Sequence, residues 1–200
     1  MIDRYALRLF KPVTESAARA LHKRGLTADQ VTLAGFALGM FSALLIALGL
    51  PLLAIAPLLA SRLADGIDGA LARLSQATDR GAFLDISLDF LFYAAVPLAF
   101  AIADPAQALA AAVLLAAFVG TGASFLAYAI IAEKRGLKSA AYPSKTIYYL
   151  GGLTEGTETI ACFLAMCWWP EHFTVIAYIY ASLCALTITM RILAGWRNFR

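Results

Sequence analysis

Apolar stretches of about 20 residues, the length of a helix that crosses a bilayer, alternate with short polar breaks along the chain. Pro, Gly and charged residues mark the breaks. The pattern predicts six membrane-spanning helices at about residues 27–50, 51–74, 81–103, 106–131, 144–169 and 173–193. We therefore expect an all-α fold: a polytopic membrane protein with one domain over residues 1–200, whose six-helix bundle occupies residues 27–195.

Residues 1–26 are too polar to span a membrane. Their mixture of apolar and basic side chains predicts an interfacial amphipathic helix, interrupted near Pro12 and lying on an anionic leaflet. An ordinary basic flank of the membrane bundle is an equally good interpretation. Basic residues recur on one side of the predicted bundle, whereas the turns near Pro51, Pro105 and Glu171 contain no Lys or Arg. The positive-inside rule then predicts that both termini are cytoplasmic.

The composition supports an integral membrane protein, since 62% of the residues are hydrophobic and 14% are charged. The net charge of +3 is small and gives no reason to expect nucleic acid as a partner. The basic N-terminal segment lacks the features of a cleaved signal peptide. We expect the lipid bilayer itself as a partner, and the cell (inner) membrane as the location. Cys162, Cys167 and Cys184 lie in apolar stretches and are expected to be packing residues.

Aspartates interrupt the second and third predicted spans. Asp65 and Asp68 are three residues apart, and Asp85 and Asp89 are four apart, so each pair shares a helix face. A carboxylate at the centre of a membrane helix costs roughly 2.5–3.5 kcal/mol, so a compensating cation is expected. The two spans are joined by a short turn and should bring both pairs together near the cytoplasmic side. Oxygen ligands without His or Cys favour Mg²⁺ or Mn²⁺.

Residues beside the aspartates suit a ligand that carries phosphate. Gly66 and Gly69 leave room near the backbone, and Arg73 lies one turn toward water, where it could contact a phosphate. One alternative is that the aspartates form buried salt bridges with Arg62, Arg73 and Arg80, although three arginines do not balance four aspartates. Another is a cation or proton transporter, because acidic residues inside membranes also mark ion pathways. That alternative does not account for the spacing of Gly69 and Arg73.

The pattern resembles the signature of the CDP-alcohol phosphatidyltransferases, Asp-x2-Asp-Gly-x2-Ala-Arg followed by a spacer and Gly-x3-Asp-x3-Asp. Every named position is filled, by Asp65, Asp68, Gly69, Ala72, Arg73, Gly81, Asp85 and Asp89. The predicted topology also agrees with that family. One departure is the spacer from Leu74 to Arg80, which has seven residues where the common pattern has eight.

The resemblance implies a phospholipid-synthesis enzyme that transfers a phosphatidyl group from a CDP-linked lipid to an alcohol and releases CMP. CDP-diacylglycerol is the foremost donor, and the acceptor would be a small alcohol or polyol whose identity stays open. Two Mg²⁺ or Mn²⁺ ions would be bound by Asp65, Asp68, Asp85 and Asp89, with Asp89 also acting as general base. The resemblance further implies a homodimer. A CDP-linked ether lipid as donor remains open, as does the branch that uses a soluble CDP-aminoalcohol.

The resemblance also suggests contacts to the CDP group. The implied residues are Gly69, Arg73 and Thr78, together with Asp29, Gln30, Val31 and Thr32 at the start of the first span. Thr78 is chosen as the hydroxyl contact in the short spacer. Either Thr27 or Asp29 could cap the first span, so Asp29 has an equally good interpretation as a helix cap.

Four further polar residues are candidates for an acceptor pocket: Lys145, Arg191, Glu155 and Glu158. Lys145 and Arg191 could bind a phosphate on the acceptor. Arg62 lies near the middle of its span, so a structural ion pair with Glu155 or Glu158 is expected about as strongly as a polar pocket around these glutamates.

Overall fold

The structure is a computed structural model that describes residues 3–136 and 153–200. Within these two ranges every regular element is a helix, as the all-α prediction requires. Short 3₁₀ turns, Pro105–Gln107 and Pro170–His172, precede two of the helices. The α-helices are α1 (Asp3–Lys23), α2 (Ala28–Ala47), α3 (Pro51–Ser75), α4 (Asp79–Ala103), α5 (Ala108–Lys134), α6 (Gly156–Trp168) and α7 (Phe173–Asn198).

Local sequence signals explain where the helices near the aspartates begin. Thr27 and Gln30 form a capping box at the start of α2: the Gln30 amide donates to Thr27 Oγ1 at 3.3 Å, and the Thr27 amide donates to Gln30 Oε1 at 3.0 Å. Pro51 occupies the first turn of α3, where its missing N–H leaves no helical bond unmade. Thr78 caps α4 by accepting a bond from the Gly81 amide at 3.0 Å.

Four segments of the described chain are long and apolar enough to cross a membrane, so the chain is an integral membrane protein. They are Ala28–Ala47, Asp79–Ala103, Pro105–Lys134 and Pro170–Asn198, with mean hydropathies of 1.8 to 2.1. Helix α3 has nearly the predicted bounds, but its charged residues make it less apolar than these four segments. Helix α6 has 13 residues, and the predicted start of its span, after Pro143, lies outside the described residues. Six spans therefore remain a prediction.

Glycine allows α2 to pack closely against α3 and α4. A Cβ atom on Gly39 would lie 2.7 Å from Phe92 Cδ2 and 3.0 Å from Ser61 Oγ, which is too close for a real side chain. A Cβ on Gly35 would lie 3.0 Å from the Cβ of Ala64. Phe92 is fully buried and belongs to the main apolar core, which contains residues from α2 through α7. Helices α2, α3 and α4 consequently form one tightly packed unit.

Helix α1 packs on the outer side of this unit. Ala18 is fully buried in a small cluster with Val31, Ala70 and Leu71. The expected interruption at Pro12 is wrong, because α1 continues through that residue. A proline removes one helical hydrogen bond, and tertiary packing further along the same helix offsets that loss.

Candidate active site

Three carboxylates from two helices converge in the structure. Asp65 on α3 and Asp85 and Asp89 on α4 each have an oxygen within 4.8 Å of the others. The antiparallel arrangement of α3 and α4 places the two faces opposite each other, as the spacing of the aspartates predicted. Like charges at this distance repel, so the arrangement favours binding of a cation between the two helices.

Asp68 lines the same cavity from a position one turn along α3. Its side chain is buried, and its Oδ2 atom has no hydrogen-bond partner among the described residues. A buried carboxylate oxygen without a partner costs free energy unless a ligand supplies the missing interaction. Together the four aspartates provide only oxygen ligands, the set that Mg²⁺ and Mn²⁺ prefer. These residues therefore fit a divalent metal site.

The cavity, which we call the acidic cavity, lies where α2, α3 and α4 meet. Its polar lining comes mainly from α3 and α4, and α2 adds the side chain of Thr32. The residues around it are Thr32, Gly35, Phe36, Ser61, Arg62, Asp65, Asp68, Asp85, Leu88 and Asp89. Carboxylates, two hydroxyls and a guanidinium thus share one small space in a largely apolar bundle.

Arg62 is part of the acidic cavity and pairs with two of its aspartates, as the salt-bridge alternative allowed for this arginine. Its Nη1 atom lies 2.8 Å from Asp89 Oδ1 and 3.6 Å from Asp65 Oδ1. Nη2 donates to Ser61 Oγ at 3.1 Å, and the guanidinium lies 4.6 Å from the centre of the Phe92 ring. The i,i+3 spacing of Arg62 and Asp65 is the sequence signal for the contact between these two residues.

The expected ion pair between Arg62 and Glu155 or Glu158 is wrong. Arg62 turns toward α4, where the carboxylate of Asp89 is within hydrogen-bond distance. Glu155 instead precedes the first turn of α6, and Glu158 lies in that turn. The carboxylate of Asp89 on the neighbouring helix supplies the counter-ion of Arg62, so this role does not fall to a glutamate of α6.

A second ion pair joins the starts of α2 and α4, and we call it the rim pair. Arg80 Nε donates to Asp29 Oδ2 at 2.7 Å. The alternative that Asp29 caps α2 is wrong, since Thr27 is the cap. A Cβ on Gly81 would lie 3.2 Å from both Asp29 Oδ1 and Thr78 Oγ1, so glycine permits the close approach of the two helix ends.

The residues predicted to contact the CDP group have different surroundings in the structure. Thr32 lines the acidic cavity, whereas Val31 is buried in the cluster under α1 and Gln30 takes part in the capping box. A Cβ on Gly69 would lie 3.6 Å from Arg73 Nη1, an ordinary contact that leaves this face of α3 accessible.

Gly66 differs from Gly69. A Cβ on Gly66 would lie 3.1 Å from the methyl group of Thr14 on α1. The expectation that Gly66 makes room for a ligand is wrong, because the space beside it is filled by α1.

Three of the four candidate acceptor residues are not among those that line the acidic cavity, and the fourth, Lys145, lies outside the described residues. Arg191 is buried and donates from Nη1 to the Thr121 carbonyl at 3.0 Å. Glu155 is buried at the start of α6. Glu158 lies along a cleft of about 440 Å³ between α6 and α7, whose surface is almost entirely apolar.

Buried hydroxyl groups between α6 and α7 form a second polar region, the hydroxyl cluster, defined by Thr154, Thr159, Tyr180 and Thr187. Thr154 Oγ1 donates to Thr187 Oγ1 at 3.0 Å. The hydroxyls of Thr159 and Tyr180 are 2.8 Å apart, and Thr159 also donates to the Glu155 carbonyl at 2.9 Å. These polar groups bind one another, as buried polar groups usually do.

Comparison with known proteins agrees with this geometry. The family model for CDP-alcohol phosphatidyltransferase matches residues 26–193. The inner membrane protein YnjF of Escherichia coli K12 is 49% identical over 201 residues, covering 100% of this chain and 98% of that protein.

Solved structures of phosphatidylinositol phosphate synthase from Mycobacterium tuberculosis are also similar. The structure with CDP-DAG bound has a TM-score of 0.74 at 25% identity and covers 92% of this chain and 94% of that one. The structure in complex with manganese and citrate has a TM-score of 0.73 at 25% identity and covers 92% and 88%. The motif, the acidic cavity and these matches together establish that the chain belongs to the CDP-alcohol phosphatidyltransferase family.

Proposed function

We propose that the protein transfers a phosphatidyl group from a CDP-linked lipid, CDP-diacylglycerol first among them, to the hydroxyl of an alcohol and releases CMP. The observation that carries the proposal is the convergence of Asp65, Asp85 and Asp89 from adjacent helices in a member of this family. A relative of similar fold was solved with CDP-DAG bound, which supports the choice of donor. Phospholipid biosynthesis is the corresponding cellular role.

The aspartates are proposed to bind two divalent ions. Asp65, Asp68, Asp85 and Asp89 would be the ligands, and Mg²⁺ or Mn²⁺ suits their oxygen atoms. When bound, such ions neutralise the diphosphate of the donor and stabilise the charge on the leaving group. The relative solved with manganese supports this choice of metal.

The reaction exchanges one phosphorus–oxygen bond for another. The acceptor oxygen bonds to the lipid-side phosphorus, the bond from that phosphorus to CMP breaks, and CMP leaves with the bridging oxygen. Asp89 is proposed to accept the proton of the attacking hydroxyl, since a carboxylate within the cavity is suitably placed for a general base. Arg73 is proposed to contact a phosphate of the CDP group.

Other contacts to the donor and the acceptor remain proposals. For the CDP group they are Gly69, Thr78, Asp29, Gln30, Val31 and Thr32. For the acceptor, a small alcohol or polyol, they are Lys145, Arg191, Glu155 and Glu158. Of these residues, Thr32 has the most direct support, because its side chain lines the acidic cavity.

The proposed membrane arrangement is a single domain with six spans, cytoplasmic termini and α1 at the interface, assembled as a homodimer in the inner membrane. The distribution of basic residues supports a cytoplasmic active site. The name of the 49% identical relative, an inner membrane protein, supports the location.

The test is release of CMP by purified protein in detergent with CDP-diacylglycerol and Mg²⁺ or Mn²⁺. Inositol, inositol phosphate, glycerol phosphate, serine and phosphatidylglycerol are offered separately as acceptors, with EDTA in matched reactions. We expect CMP release with one acceptor and its loss in EDTA. Binding of CDP-diacylglycerol without turnover would direct the search to other acceptors. Failure to bind any CDP-lipid would contradict the proposal and favour an ion transporter.

A further inference from the structure

Arg62 is held inside the acidic cavity by several contacts at once. Its guanidinium lies between Asp89 and Asp65, donates to Ser61 and stacks over Phe92. Only 15% of the side chain is exposed. An arginine keeps its charge under all ordinary conditions, so this position always brings one positive charge to the carboxylates.

The ion pairs described for Asp65 and Asp89 are both with Arg62. Arg80 is engaged at the rim by Asp29, outside the cavity lining. Because Arg62 Nη1 is within 4 Å of an oxygen of each carboxylate, it occupies space that a cation bound between them would also need. The guanidinium and a divalent ion are therefore alternative partners for the same oxygens.

We propose that Arg62 is a positioning residue that acts as a built-in counter-ion: it stabilises the carboxylates of Asp65 and Asp89 when no divalent ion is bound, and it weakens the binding of such an ion. The inference rests on the proposed metal site. It adds a residue outside the family motif. With Arg62 in place, the site can bind metal reversibly and Asp65 and Asp89 still keep one shared counter-ion in the membrane when the metal leaves.

Two effects of Arg62 on metal affinity have opposite signs. Its hydrogen bond orients Asp89, and loss of an orienting partner typically weakens a metal site about 10–100-fold. Its full positive charge, a few ångströms from the bound ion, repels that ion in a partly buried site, where charges are poorly screened. Asp65 and Asp89 are also held by their own helices, so we expect the charge to decide the outcome.

The first experiment measures Mn²⁺ binding by electron paramagnetic resonance of the free ion, with purified protein in detergent and no CDP-lipid. Wild type is compared with Arg62→Gln, which removes the charge, and Arg62→Lys, which keeps it. Arg19→Gln is the control, because it removes an equal charge from an exposed pair with Glu15 on α1. We expect Arg62→Gln to lower the Kd for Mn²⁺ by about tenfold or more, and Arg62→Lys and Arg19→Gln to stay near wild type.

A second measurement separates this role from simple packing. Without metal, Arg62→Gln should have a lower melting temperature than wild type, and saturating Mn²⁺ should raise its melting temperature by more than it raises that of wild type. A residue important only for packing against Phe92 would lower the melting temperature without changing the Kd. Arg62→Met keeps an apolar stem over Phe92 and should reproduce the tighter binding if Arg62→Gln folds poorly.

The outcomes distinguish this inference from the proposed function. If wild type binds Mn²⁺ and the neutral variants bind it with equal or weaker affinity, the counter-ion role is wrong while the metal site stands. If wild type binds no Mn²⁺, the metal site is wrong and the role of Arg62 fails with it.

Discussion

The acidic cavity and the hydroxyl cluster are both polar regions inside an apolar bundle, yet they are built in opposite ways. In the hydroxyl cluster, each described group bonds to a polar neighbour at 2.8–3.1 Å. In the acidic cavity, carboxylates converge within 4.8 Å, and Asp68 Oδ2 has no partner among the described residues. A satisfied network fixes helix positions, whereas an incompletely neutralised one is suited to binding a ligand. The contrast indicates which region carries the chemistry.

The largest expected effect follows from removing one charge from the acidic cavity. Asp89→Asn should reduce CMP release by about 10²–10⁴-fold, the usual contribution of a general base, because the amide cannot accept the proton. Glu133→Gln, which removes an exposed carboxylate at the end of α5, serves as the control and should retain activity. Normal turnover by Asp89→Asn would show that another residue is the base.

Metal binding at the acidic cavity should stabilise the folded protein, and this effect should depend on the aspartates and not on the hydroxyl cluster. Mn²⁺ at 100 times its Kd should increase the free energy of unfolding by about 2.7 kcal/mol, since only the folded state contains the site. Thermal unfolding in detergent with and without Mn²⁺ measures this. Asp65→Asn should reduce the shift and Thr159→Val should preserve it. An equal shift in all three proteins would place the ion elsewhere.

The next effect tests the packing that forms the cavity. Gly39→Ala should reduce the free energy of unfolding by about 1–3 kcal/mol, because the added methyl group overlaps Phe92 and Ser61. Gly69→Ala adds the same methyl group at an ordinary 3.6 Å contact and is the matched control for stability. Chemical or thermal unfolding compares the two. Equal stability would mean that α2 can shift away from α4 at little cost.

The last comparison concerns the hydroxyl cluster, where the expected effect on stability is no larger than that of Gly39→Ala and activity should not change. Thr159→Val removes the bonds to Tyr180 and the Glu155 carbonyl, and should cost about 1–3 kcal/mol if Tyr180 is left unsatisfied. Thr189→Val removes a bond within an exposed part of α7 and should cost less. Both variants should still release CMP once folded. Loss of turnover in folded Thr159→Val would indicate a direct role for this region.

Much of the region around the aspartates could be predicted from sequence. Pro51 marks where α3 begins, and helical periodicity puts the aspartates on facing surfaces. The cap at Thr78 starts α4 at Asp79, two residues before the predicted residue 81. These features depend on residues close together in the chain. Local rules therefore sufficed to predict that Asp65, Asp85 and Asp89 would converge.

Contacts between distant segments were predicted less well. The partner of Arg62 depends on how α3 is rotated about its axis relative to α4. The depth of Arg62 in the membrane does not determine that rotation. The role of Gly66 depends on where α1 docks, and the polar character of α1 gave no position for it. Asp29 looked suitable as a cap, but Thr27 with Gln30 forms the stronger local motif and leaves Asp29 for Arg80.

The rim pair differs from the ion pair of Arg62 and Asp89 in its exposure to dissolved salt. The Arg80 side chain is 78% exposed, so dissolved salt reaches its contact with Asp29 and screens it. The contact between Arg62 and Asp89 is largely shielded from dissolved ions by the surrounding helices. Raising the concentration of monovalent salt should thus loosen the junction between the first turns of α2 and α4 while leaving the interior pair intact. Ionic strength and divalent-ion concentration would then act independently, the first on the junction of two helix ends and the second on the acidic cavity.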